Sequence, residues 1–122
     1  MIENLGFKYA FWIVMGMATI TFIAGINLPI MGIDATQYAS ISMEMAESGN
    51  YLEVMHRGND YLDKPPLLFW LSSLSFNLFG IENWSYRLPS LLFVYLGIFA
   101  TFRLGSLLYS KSAGYTGAII FS

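Results

Sequence analysis

No cysteine occurs among the 122 residues. Disulfides, thiolate nucleophiles and cysteine-based metal sites are therefore excluded, and thiol usage leaves the compartment unmarked. Charge is nearly as scarce: Asp, Glu, Lys and Arg make up 11 % of the chain, where a soluble domain carries about a quarter. The six basic residues are scattered and the formal net charge is -2. The clustered cations that grip a phosphate backbone are missing, so nucleic acid is not an expected partner. His56 is the one histidine; it has no second imidazole with which to share a metal, and no metal site is expected. Internal repeats and low-complexity runs are absent too.

What is present is apolar: 56 % of residues are hydrophobic and 17 % aromatic. That composition predicts an all-α integral membrane fold. It would have two full transmembrane helices and the start of a third, with two interfacial amphipathic helices in the first extracytoplasmic loop. Between Lys8 and Asp34 lie 25 residues without a charge, and at 1.5 Å per residue they reach about 37 Å, enough to cross a ~30 Å hydrocarbon core. Residues 9–30 are the first expected span. A cleaved signal peptide is the competing reading, but the run is too long for one and no small-x-small cleavage site follows it. The second span is expected over 87–109, with Arg103 near its cytosolic end because an arginine at the bilayer centre costs at least ~2.5 kcal/mol. Residues 112–122 read as the start of a third span, cut short, so the chain is expected to be an N-terminal piece of a longer protein. Lys8, Arg103 and Lys111 then lie in the cytosol and Arg57, Lys64 and Arg87 outside. Letting 65–81 span instead would put two inside and four outside, which the positive-inside rule disfavours.

The expected extracytoplasmic loop, 34–84, holds most of the acids. Residues 35–48 alternate as an amphipathic helix, with Ala35, Tyr38, Ala39, Ile41, Met45 and Ala46 on the apolar half and Gly49 as a stop. Its polar half carries glutamates and no lysine, so packing beneath other protein suits it better than attraction to anionic lipid. Gly58-Asn59-Asp60 has turn chemistry. Pro65 and Pro66 suit the first turn of a second interfacial helix over 65–79, with Asp63 or Lys64 at its cap and Leu67, Trp70, Leu71, Leu74 and Leu78 as an apolar stripe.

The residues themselves leave two readings of Asp34. At the membrane surface beside a partly dry cavity its carboxylate could serve as a general base; in Asp-Ala-Thr-Gln it could instead cap the helix, with Gln37 closing a capping box. Lys64 precedes a helix N-terminus, where free N–H groups and the dipole favour an anion such as a phosphate headgroup. The alternative is an ordinary interfacial lysine. Arg57 and Arg87 could join that phosphate site or face solvent and headgroups. Asp63 reads as a cap, and Asn83-Trp84-Ser85 matches a glycosylation sequon.

The order of these pieces resembles the polyprenyl-phosphate-sugar-dependent membrane glycosyltransferases of the C-type fold, which include the protein O-mannosyltransferases and the aminoarabinose transferases. The residues that carry the resemblance are Asp34-Ala35-Thr36-Gln37-Tyr38, Ile41 to Gly49, Tyr61 to Trp70 with its Asp63-Lys64-Pro65-Pro66 core, Leu78-Phe79-Gly80 and Arg87-Leu88-Pro89-Ser90. It implies that Asp34 is the catalytic base and that Lys64 binds the donor phosphate; Arg57 and Arg87 are the candidates to join Lys64 there, and Tyr38 and Asp63 are further site candidates. Two departures stand out, because Ala35 occupies a position where the family often has Glu and Gln37 matches an arginine of the aminoarabinose transferases.

The reaction implied is inverting transfer of a sugar from polyprenyl phosphate to a lipid, glycan or protein acceptor, at the extracytoplasmic face of a bacterial inner membrane. It needs no nucleotide, in keeping with the lack of a Gly-rich phosphate loop or an Asp-x-Asp pair. No cofactor is called for, although a divalent metal stays open. Family members carry further catalytic residues downstream, so these 122 residues alone are expected to be inactive. Two other classes suit a short apolar chain. A small transporter subunit would hold a carboxylate inside a span, and no acid lies within 9–30 or 87–109. A non-enzymatic scaffold would tolerate replacement of both Asp34 and Lys64.

Overall fold

A computed structural model describes residues 3–122, with side chains from residue 5 onward. Five helices occur among them: α1 (Glu3–Gly25), α2 (Ile33–Ser48), α3 (Leu67–Phe79), α4 (Asn83–Leu108) and α5 (Lys111–Phe121). A short antiparallel hairpin, β1 (Met55–His56) and β2 (Asn59–Asp60), pairs Met55 with Asp60 and His56 with Asn59. The helices fall into two compact units. One is made by 26–90; the other by the chain up to Gly25 together with 91–122.

In the second of these, α1 leaves its apolar side chains uncovered: Trp12, Met17 and Ile20 are 62 %, 65 % and 69 % exposed. A helix that is apolar all round and unburied fits hydrocarbon, not water, and α1 and α4 are both long and apolar enough to cross a bilayer. The protein is a membrane protein. α1 ends at Gly25, five residues before the expected limit, where the chain turns through Ile26 to Leu28. Polar and aromatic contacts tie the unit together. Thr19 and Tyr95 share a hydrogen bond of 2.7 Å, and Phe11 packs against Phe102 and Tyr115. The last element enters through a cap: Ser110 Oγ accepts the Ala113 N–H at 3.1 Å. α4 and α5 then approach so closely that a Cβ built on Gly105 would lie 2.9 Å from the Gly114 Cα. Small residues at a helix contact are the usual device where lipid, not water, surrounds the pair.

The unit formed by 26–90 has a small core of Ile41, Met45 and Phe69, which are 0 %, 3 % and 1 % exposed, with Tyr38, Val54 and Tyr61 packed on it. α2 ends at Gly49, whose φ of 69° is natural for glycine and whose N–H closes on the Met45 carbonyl. On α3 the leucine stripe is the uncovered face, with Leu67, Leu74 and Leu78 exposed, while Ser72, Ser73 and Ser75 turn inward with Phe69 and Phe76. α4 starts at Asn83, four residues before the expected span, because Ser85 organises the turn between α3 and α4. Its hydroxyl accepts the Glu82 N–H at 3.1 Å and donates to the Gly80 carbonyl at 2.6 Å. Ser85 is thereby buried inside the sequon. Trp70 Nε1 donates to the Tyr51 carbonyl and Asn77 Nδ2 to the Tyr51 hydroxyl, which fixes the connection between α2 and the hairpin onto α3.

Candidate active site on α2 and the loop before α3

α2 begins one residue before Asp34. Its N-cap is Gly32, in extended conformation and without a side-chain cap bond. Asp34 is thus in the first turn, not at the cap, and the capping-box reading with Gln37 does not hold. A box needs the acid at the extended residue outside the helix, and glycine occupies that place. The exposed carboxylate still lies in the first turn of α2, at the positive end of the helix dipole.

One turn further along α2, Tyr38 packs its ring edge-on to Phe69 at 5.8 Å, and Tyr61 does the same from another side at 5.9 Å. The Tyr61 N–H is anchored on the Val54 carbonyl at 2.8 Å. Tyr38 lies within hydrogen-bonding reach of the Tyr61 phenol, and the carboxylates of Asp63 and Asp34 are close enough to act on it. Partial burial, then Tyr38 and the two carboxylates, hold the Tyr61 phenol above its ordinary pKa of 10.0. It is therefore an O–H donor at neutral pH. The fold brings Asp34, Tyr38 and Asp63 together around Tyr61, a residue the sequence placed in a motif but gave no role. Its only local signal is an aromatic two residues before Asp63.

Neither Asp63 nor Lys64 caps α3. The N-cap is Pro66, in helical conformation with no side-chain cap bond, because a proline ring fixes φ near the helical value and needs no partner for an N–H. Lys64 is exposed, two residues ahead of that N-terminus, and has no hydrogen-bond or ion-pair partner among the described residues. Arg87 and Arg57 have different surroundings. The Arg87 guanidinium donates to the carbonyls of Ile26 at 2.9 Å and Pro29 at 3.4 Å, and lies within electrostatic range of Tyr86. Arg57 lies at the hairpin tip, where its N–H donates to Glu44 Oε2 at 2.9 Å. His56 beside it packs edge-on to Tyr61, with ring centroids 6.4 Å apart. No cluster of three or more His, Asp or Glu able to hold a metal occurs among the described residues.

An exposed carboxylate beside two phenols, with an unpaired lysine at a helix N-terminus, suits group transfer from a phosphate ester at a membrane surface. Comparison with known proteins gives the same class. Residues 63–122 match the dolichyl-phosphate-mannose-protein mannosyltransferase family. The chain is 32 % identical over 89 residues to the undecaprenyl phosphate-alpha-4-amino-4-deoxy-L-arabinose arabinosyl transferase of Pseudomonas savastanoi pv. phaseolicola, a match covering 72 % of this chain and 17 % of that protein. The transferase of the same name from Yersinia enterocolitica is 30 % identical over 89 residues, covering 72 % of this chain and 16 % of the relative. An uncharacterized Aquifex aeolicus protein is 35 % identical over 63 residues, 52 % of this chain and 15 % of its own. No solved structure matches. The chain belongs to the family of membrane glycosyltransferases represented by these mannosyl and aminoarabinosyl transferases, and spans about a sixth of the length of the aminoarabinosyl relatives it matches.

Proposed function

We propose that the native protein is an inverting glycosyltransferase that moves a sugar from polyprenyl phosphate to a lipid, glycan or protein acceptor at the outer face of a bacterial inner membrane. The observation that carries this is the placement of Asp34. It is a first-turn carboxylate with no capping duty, next to the Tyr38, Tyr61 and Asp63 cluster. In the reaction the acceptor hydroxyl attacks the anomeric carbon from the face opposite the phosphate. Its proton passes to Asp34 as the new C–O bond forms, and the bond from the anomeric carbon to the phosphate oxygen breaks with its electron pair on the polyprenyl phosphate. Lys64 and the first turn of α3 offset that developing charge. Arg87, committed to backbone carbonyls, contributes by holding the 26–29 segment, and the exposed leucine stripe of α3 seats the loop unit on the bilayer surface.

The test is Asp34→Asn in membranes carrying the native protein, measured as transfer of radiolabelled sugar from polyprenyl phosphate with expression and insertion held equal. Loss of a positioned general base lowers the rate by at least about a hundredfold. Transfer at the wild-type rate would remove Asp34 from the chemistry.

A further inference from the structure

α2 and the hairpin enclose a separate concavity of about 270 Å3, lined by Ile33, Thr36, Gln37, Ser40, His56 and Arg57. Its polar groups are not used up by the fold. Thr36 and Ser40 donate their hydroxyl protons to the Ile33 carbonyl and to Glu44, which leaves their oxygens able to accept. Neither the Gln37 amide nor the Arg57 guanidinium has a partner among the described residues. His56 Nδ1 is buried without a hydrogen bond; the nearest carboxylate oxygen, on Glu44, is 3.8 Å away.

The backbone at Arg57 is unusual. Its φ is 52°, in the left-handed region that disfavours long side chains. Gly58 follows at φ 79°, so the pair occupies positions that Asn-Gly ordinarily fills in a two-residue hairpin. Here an arginine stands in the first of them, and the N–H bond to Glu44 Oε2 fixes it there. That bond ties the Glu44 carboxylate to the hairpin backbone, and no ion pair joins it to the Arg57 guanidinium among the described residues. A long cation kept at a strained position, over a cavity with an unpaired amide and an orphaned imidazole nitrogen, is the donor set of an oxyanion site. Gln37 is three residues after Asp34 on the same helix, so the cavity opens within about one turn of that carboxylate.

Resting on the reading of Asp34 as the base that serves the acceptor, we infer that this cavity is the acceptor subsite for an anionic group of phosphate type. Arg57 and Gln37 grip it while Asp34 takes the proton from the neighbouring hydroxyl. The donor phosphate stays with Lys64, so Arg57 serves the acceptor and not the donor.

The test uses the native protein in detergent, with inorganic phosphate as the probe. Arg57→Asn removes the cation and tolerates the left-handed turn, and Arg57→Lys keeps the charge. Phosphate is expected to inhibit transfer, and the part of that inhibition that depends on Arg57 is competitive against the acceptor and not against the donor. Arg57→Asn should raise both its inhibition constant and the acceptor KM by about tenfold to a hundredfold, the scale of one lost charge-assisted contact. The donor KM should stay unchanged and Arg57→Lys should recover part of the loss. Arg57-dependent competition against the donor, or an acceptor KM indifferent to Arg57→Asn, overturns the assignment. Calorimetric titration of Asp34→Asn with phosphate separates the two failures. Binding that persists there and disappears on adding Arg57→Asn upholds the anion site even where Asp34 proves not to be the base. Absence of any Arg57-dependent binding overturns the site whatever Asp34 does.

Discussion

Pro89 sits inside α4 and has no N–H to give the Ser85 carbonyl four residues back, and its ring pushes that carbonyl aside. The donor comes from another helix: Ser75 Oγ of α3 meets Ser85 O at 2.6 Å, with Ser75 4 % and Ser85 0 % exposed. Ser75→Ala therefore leaves a buried carbonyl with no partner, which costs about 1–3 kcal/mol, more than the net worth of the bond itself. Pro89→Ala returns a backbone N–H to the same carbonyl. In that background Ser75→Ala should cost less than about 1 kcal/mol, so the two changes couple by about 1–2 kcal/mol. Native-state hydrogen exchange of the α3 amides in the detergent-solubilised native protein reads this locally, without assuming that a multi-spanning protein unfolds in one step. A Ser75→Ala penalty that is the same with and without Pro89 would refute the argument.

Two further changes probe the packing and the phenol cluster. A Cβ on Gly114 would stand 2.6 Å from the Phe102 carbonyl oxygen and 2.9 Å from the Ser106 nitrogen, with Ser106 Oγ closer still. Gly114→Ala should therefore destabilise the α4–α5 contact by about 1–3 kcal/mol, read as a lower melting temperature, and an unchanged melt would show that the helices separate freely. Tyr61 is held above 10.0 in the fold. The folded and unfolded states thus both carry it neutral below that pH, and the unfolded state ionises first as pH rises past it. Stability contributed by this phenol is lost between pH 10.0 and the higher folded pKa. Alkaline titration by tyrosinate absorbance should show a late-ionising phenol that disappears in Tyr61→Phe; an unchanged titration curve would contradict the cluster.

The spans were legible because crossing hydrocarbon requires little more than a long gap between charges, and the gaps after Lys8 and Arg87 are plain. Their ends were not. Helix ends are set by backbone partners, and it takes coordinates to see that Ser85 organises the turn at Glu82 or that Gly32, not Asp34, is the N-cap. Periodicity found the two faces of α3 but could not say which is covered. In a membrane setting leucines are as content against lipid as against protein, whereas serines gain from close helix contact, and the serines are the inward face. The turn at Gly58 was visible from its residue type, but the bond from Arg57 to Glu44 links positions thirteen apart and leaves no local pattern. Tyr61 was hidden for the same reason. Its neighbours Tyr38 and Asp34 come from α2, and the contact of both phenol rings with Phe69 is what brings Tyr38 to it.

That shared contact links stability to chemistry in the loop unit. Asp34, Tyr38, Ile41 and Met45 follow one another at intervals of four, three and four on α2, a single stripe whose inner end is core and whose outer end is the candidate base. Phe69 is the ring on which Tyr38 and Tyr61 both rest. Any change that loosens it moves the phenols relative to the carboxylate before it unfolds anything. A base on a flexible loop could drift while the core stayed intact; this one is carried on the helix that supplies the core. The groups left outside that packing are the exposed Lys64 side chain and the exposed Arg57 side chain at the hairpin tip, the two places where charged groups of the substrates are proposed to bind. Rigid placement of the base, with exposed cations around it, suits the proposed transfer, whose reacting groups must be held in line.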